Sequence, residues 1–144
     1  MAGTLLSLGH GYTARAVARK LVPQGWTVLG TTRDSDKAER LPAEGVDPVP
    51  WEREAIANAV ARATHILVSA GPDDQGDPSL RIARAAIEAR VPALWWVGYL
   101  STTGVYGDHH GAWVDEATPL TPGTERGIAR VAAEAEWGHI PHLP

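Results

Sequence analysis

The chain has 144 residues, 44% apolar and 21% charged, the proportions of one soluble globular domain that buries about two-thirds of its unfolded surface. A net charge of −4 without a basic run leaves no footprint for nucleic acid, and the absence of cysteine excludes disulfides, thiolate metal sites and cysteine nucleophiles. No apolar run reaches the length of a membrane span and no signal-peptide pattern opens the chain, so the expectation is a cytoplasmic protein with neither membrane nor nucleic-acid partner.

Thr4 to Leu8 read as a first strand. The run ends at Gly9, and a helical pattern starts at once through Gly9-His10-Gly11-Tyr12-Thr13-Ala14. This is the spacing G-x-G-x-x-A. Gly9 suits a tight turn, Gly11 leaves room for a phosphate, and Ala14 is small enough for close helix–strand packing. The free N–H groups of the helix start then face an anion. The turn Gly9, His10, Gly11, Tyr12 and Thr13 is therefore read as a dinucleotide site; the plainer reading is a strand–turn–helix that happens to carry two glycines.

Ala14, Val17, Ala18, Leu21 and Val22 give the first helix an apolar face, and Pro23 to Gly25 stop it. Trp26 to Thr31 form a second strand, and Asp36 to Leu41 a short helix. Val46 to Trp51 contain Pro48 and Pro50 and fit only an edge or irregular strand. Ile56, Ala59, Val60 and Ala63 mark another helix, and His65 to Ala70 the clearest buried strand. Ser69, Ala70 and Gly71, at its end, are placed beside the same ligand. After a polar, flexible loop to Gly76, Asp77 is read as N-cap and Pro78 as the first residue of a helix with Leu80, Ala83 and Ile87 inside. Leu94 to Leu100 read as a fifth strand, apolar on both faces, and Ile128, Val131, Ala132 and Ala135 mark a last helix.

Alternating strands and helices predict one domain over residues 1–144, with 136–144 an irregular tail. Its architecture is a doubly wound parallel α/β sheet (Rossmann) of order 3-2-1-4-5. That order leaves the apolar fifth strand at an edge. Either a second copy pairs with it, giving a homo-oligomer, or the chain is truncated before a further region.

The second strand ends Gly30-Thr31-Thr32-Arg33-Asp34, where the ribose of the cofactor is expected. The planar fork of Arg33 suits the 2′-phosphate of NADP, and Thr31 or Thr32 can add a hydroxyl. Asp34 is the rival, because a carboxylate there selects NAD. NADP is the first choice and NAD the second. The plain alternative is that both charges are solvated.

Leu100-Ser101-Thr102-Thr103-Gly104-Val105-Tyr106-Gly107 resembles the S-[ST]-x-x-V-Y-G segment of extended short-chain dehydrogenase/reductases, the NAD(P)-dependent epimerase/dehydratase group. Glu116-Ala117-Thr118-Pro119, Pro122 and the helix with Glu134 are similar to that family's lead into its catalytic helix. The resemblance implies that Thr102 hydrogen-bonds the reacting oxygen of a small-molecule substrate such as a nucleotide sugar. The competing reading of Thr102 is a strand-end residue that satisfies loop backbone; that of Tyr106 is packing.

The family's acid is a tyrosine with a lysine four residues on. Those two positions hold Arg126 and Arg130. Arginine has no proton to give at neutral pH, its pKa lying above about 12. The resemblance leaves Arg130 the lysine's charge and ribose-binding role and points to the atypical members that lack the pair. Tyr106, Tyr99 and the Asp108-His109-His110 loop are the remaining acids, with Tyr99 read as core and the histidines as solvated. No metal site is expected, and the six tryptophans are read as core and interface rather than a stacking platform. An oxidoreductase or epimerase, a non-catalytic NADP(H)-binding module and a fragment of such an enzyme all stay open.

Overall fold

Five apolar runs become parallel strands: β1 (Thr4–Leu8), β2 (Thr27–Thr32), β3 (Val46–Pro50), β4 (His65–Val68) and β5 (Trp96–Tyr99). A computed structural model describes residues 2–144 and arranges these strands in the expected order, β3-β2-β1-β4-β5. Between and after them run α1 (Tyr12–Leu21), α2 (Ser35–Arg40), α3 (Arg53–Arg62), α4 (Pro78–Arg90) and α5 (Glu125–Gly138). None of these described helices is long and apolar enough to cross a membrane.

Alternation along β1 divides the core in two. Leu6 and Leu8 pack with Ile56 and Val60 of α3 and Leu80 and Ile87 of α4. Leu5 faces the other side, where Ala14 and Ala18 of α1 close on Val28 and Leu67. Leu6, Ile56, Ile66 and Ile87 are all fully buried, each contributing about 1.5–3 kcal/mol relative to an exposed side chain. The register sets Leu6 beside Leu29 on one side and Ile66 on the other. All five strands therefore point their C-terminal ends at one rim.

The proline-bearing segment is a true strand at the edge, with Pro48 opposite Gly30 and Pro50 opposite Thr32. Missing N–H groups cost little there. The other edge departs from expectation. β5 is four residues long, and Trp95 and Trp96 are 61% and 45% exposed. It is apolar by composition but half-buried in place. Val97 and Tyr99 pack on the core, and the Val97 N–H donates to the Pro144 carbonyl at 3.1 Å. The chain's last residues thus take up part of this edge.

α5 also differs. Ile128, Ala132 and Ala135 of the expected stripe are exposed, and Val131 is only half-buried. The helix instead buries Gly127, Ala133 and Trp137 and continues to Gly138, three residues into the expected tail. Two small residues let it approach closely: a Cβ on Gly127 would lie 2.7 Å from the Gly104 carbonyl oxygen. The indole of Trp137 anchors its far end, and Ile140 just beyond is buried.

That anchor meets the capping residue of α4. Asp77 is buried and accepts through Oδ1 from the N–H groups of Ser79 and Leu80, both at 2.9 Å. Its Oδ2 accepts from Trp137 Nε1 at 3.0 Å. One carboxylate therefore caps α4 and holds α5. Asp77→Ala removes the cap and orphans a buried indole N–H, and should cost about 2–3 kcal/mol. Urea unfolding should show this as a lower midpoint at unchanged slope; Trp137→Phe, which keeps the cap, should cost less.

Candidate functional site

The strand ends converge on Gly9. Its φ of +86° lies in the left-handed region, and a Cβ there would sit 2.7 Å from the Ala70 backbone nitrogen. Only glycine fits. The Gly9 N–H donates to Thr31 Oγ1 at 2.7 Å, and the His10 N–H to the Thr31 carbonyl at 3.1 Å. From the other side, the N–H groups of Ser69 and Ala70 donate to the Leu8 carbonyl at 2.8 and 3.0 Å. The turn is clamped between the ends of β2 and β4.

α1 begins directly after it. Gly11 is its N-cap and supplies no side-chain acceptor, and the first turn holds no acidic residue. The free N–H groups of the first turn are thus available to an anion. A Cβ on Gly11 would meet only the Gly9 carbonyl, at 3.9 Å. The space beside it is open, as the close approach of a phosphate requires.

Along this rim lies a cleft of about 500 Å³. Of the expected cofactor residues, Gly9, His10, Gly11, Thr32, Arg33, Ser69, Ala70 and Gly71 all line it. Tyr12 and Thr13 do not: their side chains are exposed, and Tyr12 borders a separate cavity with Arg15 and Glu44. Only their backbone N–H groups remain as contacts. Thr31 corrects the expectation of a phosphate-binding hydroxyl, since it is buried and its Oγ1, accepting from Gly9, donates to the Ser7 carbonyl at 3.2 Å.

Sequence reasoning missed Lys37, Trp51, Asp73 and Arg81, which also line the cleft. Lys37 follows the α2 N-cap Asp34, whose Oδ1 accepts from its N–H at 3.1 Å, and its ammonium donates to the His10 carbonyl. The cue was available: a lysine three residues after a capping aspartate stands one helical turn from the β2 end. Asp73 and Arg81 are joined by two hydrogen bonds of 2.7 and 2.9 Å. That pairing, aided by the Gln75 N–H, holds the Asp73 carboxyl at about 2. Arg33 has no ion-pair or hydrogen-bond partner among the described residues. It is the free cation of the cleft.

His10 is 1% exposed, and neither ring nitrogen has a hydrogen-bond partner. Burial first, then the charge of Lys37, pushes its pKa below the ordinary histidine value. The ring lies over Gly30, where a Cβ would come within 2.8 Å of it. A small residue in β2 therefore accommodates the large one in the turn.

The residues expected to act on substrate lie outside this cleft. Thr102 is exposed, and its Oγ1 accepts from the Gly104 N–H at 3.3 Å. Tyr106 is half-buried; its carbonyl accepts from Thr121 Oγ1 at 2.6 Å and contacts His109 Nε2 at 2.9 Å. His109 thus engages its own loop. Arg130 reaches the cleft wall: its NH2 lies 2.8 Å from where a Gly71 Cβ would be, and its NH1 donates to the Leu100 carbonyl at 2.7 Å. Its guanidinium also lies 5.7 Å from the Tyr99 ring centroid. Tyr99 is raised in pKa by burial, against the opposing charge of Arg130, and its hydroxyl is buried without a partner. Ser101 donates to Glu134 on the next turn of α5. Arg126 is exposed.

A family model described as NAD(P)H-binding matches residues 9–135, from the glycine turn almost to the end of α5. The chain belongs to this NAD(P)H-binding family. It is 29% identical over 147 residues to Protein YeeZ of Escherichia coli K12, covering 92% of this chain and 52% of that protein. A functionally unknown conserved protein from Silicibacter pomeroyi superposes with a TM-score of 0.92 at 51% identity, over 99% of this chain and 50% of that one. The Bordetella bronchiseptica enzyme WbmG, in complex with NAD and UDP, shares the fold alone: TM-score 0.74, 22% identity, 96% of this chain and 49% of that one. A short-chain dehydrogenase/reductase superfamily protein from Agrobacterium tumefaciens also shares the fold alone, with a TM-score of 0.66 at 20% identity over 92% of this chain and 43% of that one. The chain spans about half the length of the relatives it matches.

The neutral imidazoles give the fold a pH signature. Burial lowers the pKa of both His10 and His65, so as pH falls the unfolded chain takes up these protons near 6.5, before the folded one does. The stability this contributes is complete above that value and is lost as pH falls below it. The melting temperature should therefore drop between pH 7 and pH 5, and by less in His10→Gln.

Proposed function

We propose that this chain is the cofactor-binding part of an NADP(H)-dependent oxidoreductase or epimerase-like protein. Its substrate is a small molecule with a hydroxyl or carbonyl group, such as a nucleotide sugar. The observation that carries the reading is the glycine turn clamped open beside an uncapped helix start, in a cleft whose free cation is Arg33. A nicotinamide dinucleotide fits these groups: the pyrophosphate at the N–H groups of α1, the nicotinamide end toward Ser69, Ala70 and Gly71. When bound, it supplies the hydride.

NADP is preferred over NAD because Arg33 is unpaired while Asp34 spends Oδ1 on the α2 N-cap. Thr102 supports the catalytic reading. Its oxygen accepts from Gly104, so its hydroxyl hydrogen is free to donate to an oxygen that gains charge. Arg130 brings positive charge to the Gly71 wall and, through Leu100, fixes the end of β5 next to Thr102.

A second reading, a module that binds NADP(H) without turnover, is favoured by one observation. The tyrosine and lysine positions hold Arg126, which is solvated, and Arg130, which is occupied by a carbonyl and an aromatic ring. NADPH oxidation dependent on a carbonyl substrate, and reduced in Thr102→Val, supports the enzyme.

The cofactor assignment is tested by calorimetric titration. Arg33→Ala should weaken NADPH about tenfold or more, the worth of a charge-assisted contact, and change NADH by less than about twofold. Equal losses for the two would remove Arg33 from the 2′-phosphate.

A further inference from the structure

We propose that the outer edge of β5 is a self-pairing interface. A second copy of this chain adds to it about a two-fold axis at Gly98, and residues 139–144 are a strap that competes for the same backbone groups. The Leu100 N–H turns inward and donates to the Val68 carbonyl at 2.9 Å. Alternation along the strand then turns the N–H and carbonyl groups of Val97 and Tyr99 outward. The Val97 N–H takes the Pro144 carbonyl at 3.1 Å, so a backbone from outside the sheet already reaches this edge. The outward groups of Tyr99 meet no such backbone among the described residues.

Self-complementarity names the occupant. Antiparallel pairing centred on Gly98 sets Val97 opposite Tyr99 of the partner subunit, and Tyr99 opposite the partner's Val97. These are the outward residues, so each pair exchanges two backbone hydrogen bonds. Trp96 and Leu100 stand on either side of Gly98, on the face opposite Val97 and Tyr99, which pack on the core. They are 45% and 36% exposed, and the same register brings Trp96 against the partner's Leu100, an apolar cross-strand pair. Gly98 makes room for it, since a Cβ there would lie 2.1 Å from the Trp96 ring. No charged residue falls within 94–100 to repel a second copy.

The strap sets how often the edge is free. Pro141 and Pro144 have no N–H, so this segment accepts from β5 without extending the ladder. Ile140 is buried and Leu143 packs on the core, which hold the strap in place. It does not lie flush. A cavity of about 360 Å³ separates it from Val97, Tyr99 and Trp137, and His142 sits at φ +59°, a left-handed conformation that disfavours a side chain. Such a segment lifts more readily than a core element.

Sedimentation equilibrium and amide hydrogen exchange on the full chain test the proposal. A closed strap weakens apparent self-association by the fraction of molecules that are open. Leu143→Asp, which loosens the strap, should therefore associate about tenfold or more tightly than the parent. Held dilute, it should also exchange its Val97 amide about tenfold or more faster. Adding Leu100→Lys at the exposed edge should return association to the parent's level. Leu143→Asp associating no more tightly than the parent overturns the proposal, as does a tighter association that Leu100→Lys leaves untouched. Should Leu143→Asp fail to fold, the parent decides. Raising its concentration should slow exchange of the Tyr99 amide, and Leu100→Lys should abolish that slowing. Tyr99 exchange independent of concentration overturns the interface, and a Val97 amide as unprotected as that of Tyr99 in dilute parent overturns the strap.

Discussion

Three backbones meet at Gly9, and the rim of the sheet depends on how closely they do so. The Thr31 hydroxyl and carbonyl hold the turn from β2, while the Ser69 and Ala70 N–H groups hold the end of β1 from β4. A side chain at Gly9 would run into Ala70 backbone, which has no rotamer to yield, and the left-handed φ adds about 1–2 kcal/mol for any other residue. Because the turn is pinned on both sides, α1 starts at a fixed place with its N–H groups free. The open helix start is a consequence of packing, not an addition to it.

The same geometry orders the rest of the cleft. Gly30 in β2 is bare so that the His10 ring can lie over it. Lys37, one turn into α2, donates to the His10 carbonyl and ties that helix to the turn. Arg33 stands between these groups and the proline-lined edge with no partner of its own among the described residues. Positive charge is gathered where the chain offers N–H groups, and the one carboxylate in the lining, Asp73, is neutralised by Arg81.

Much of this was legible in the sequence. The glycine spacing, the strand–helix alternation and the edge position of the proline strand all follow from local rules, and the sheet order agrees with them. Asp77 and Pro78 also announced their helix. The failures share a cause: periodicity sees hydrophobicity along one element but not the partner that element meets. Ile128 looked like core, yet α5 turns Gly127 and Ala133 inward, because Trp137 finds Asp77 sixty positions away. Thr31 looked like a ligand-binding hydroxyl because nothing local shows that Gly9 needs it. Lys37, Trp51 and Arg81 were overlooked because each reaches the cleft from an element other than the glycine turn. The cleft at the strand ends is thus dense with contacts, while Thr102 and Arg130 lie on a loop and a helix outside its lining.

The most direct test of the central claim is an amide-resolved NMR titration of the labelled protein with NADPH. The clamped turn predicts the largest shifts at Gly9, His10, Gly11, Tyr12 and Thr13, with a second set at Arg33 and a third at Ser69 to Gly71. Shifts confined to other surfaces, such as the β5 edge or the outer side of α5, with the Gly9 turn unmoved, would contradict it.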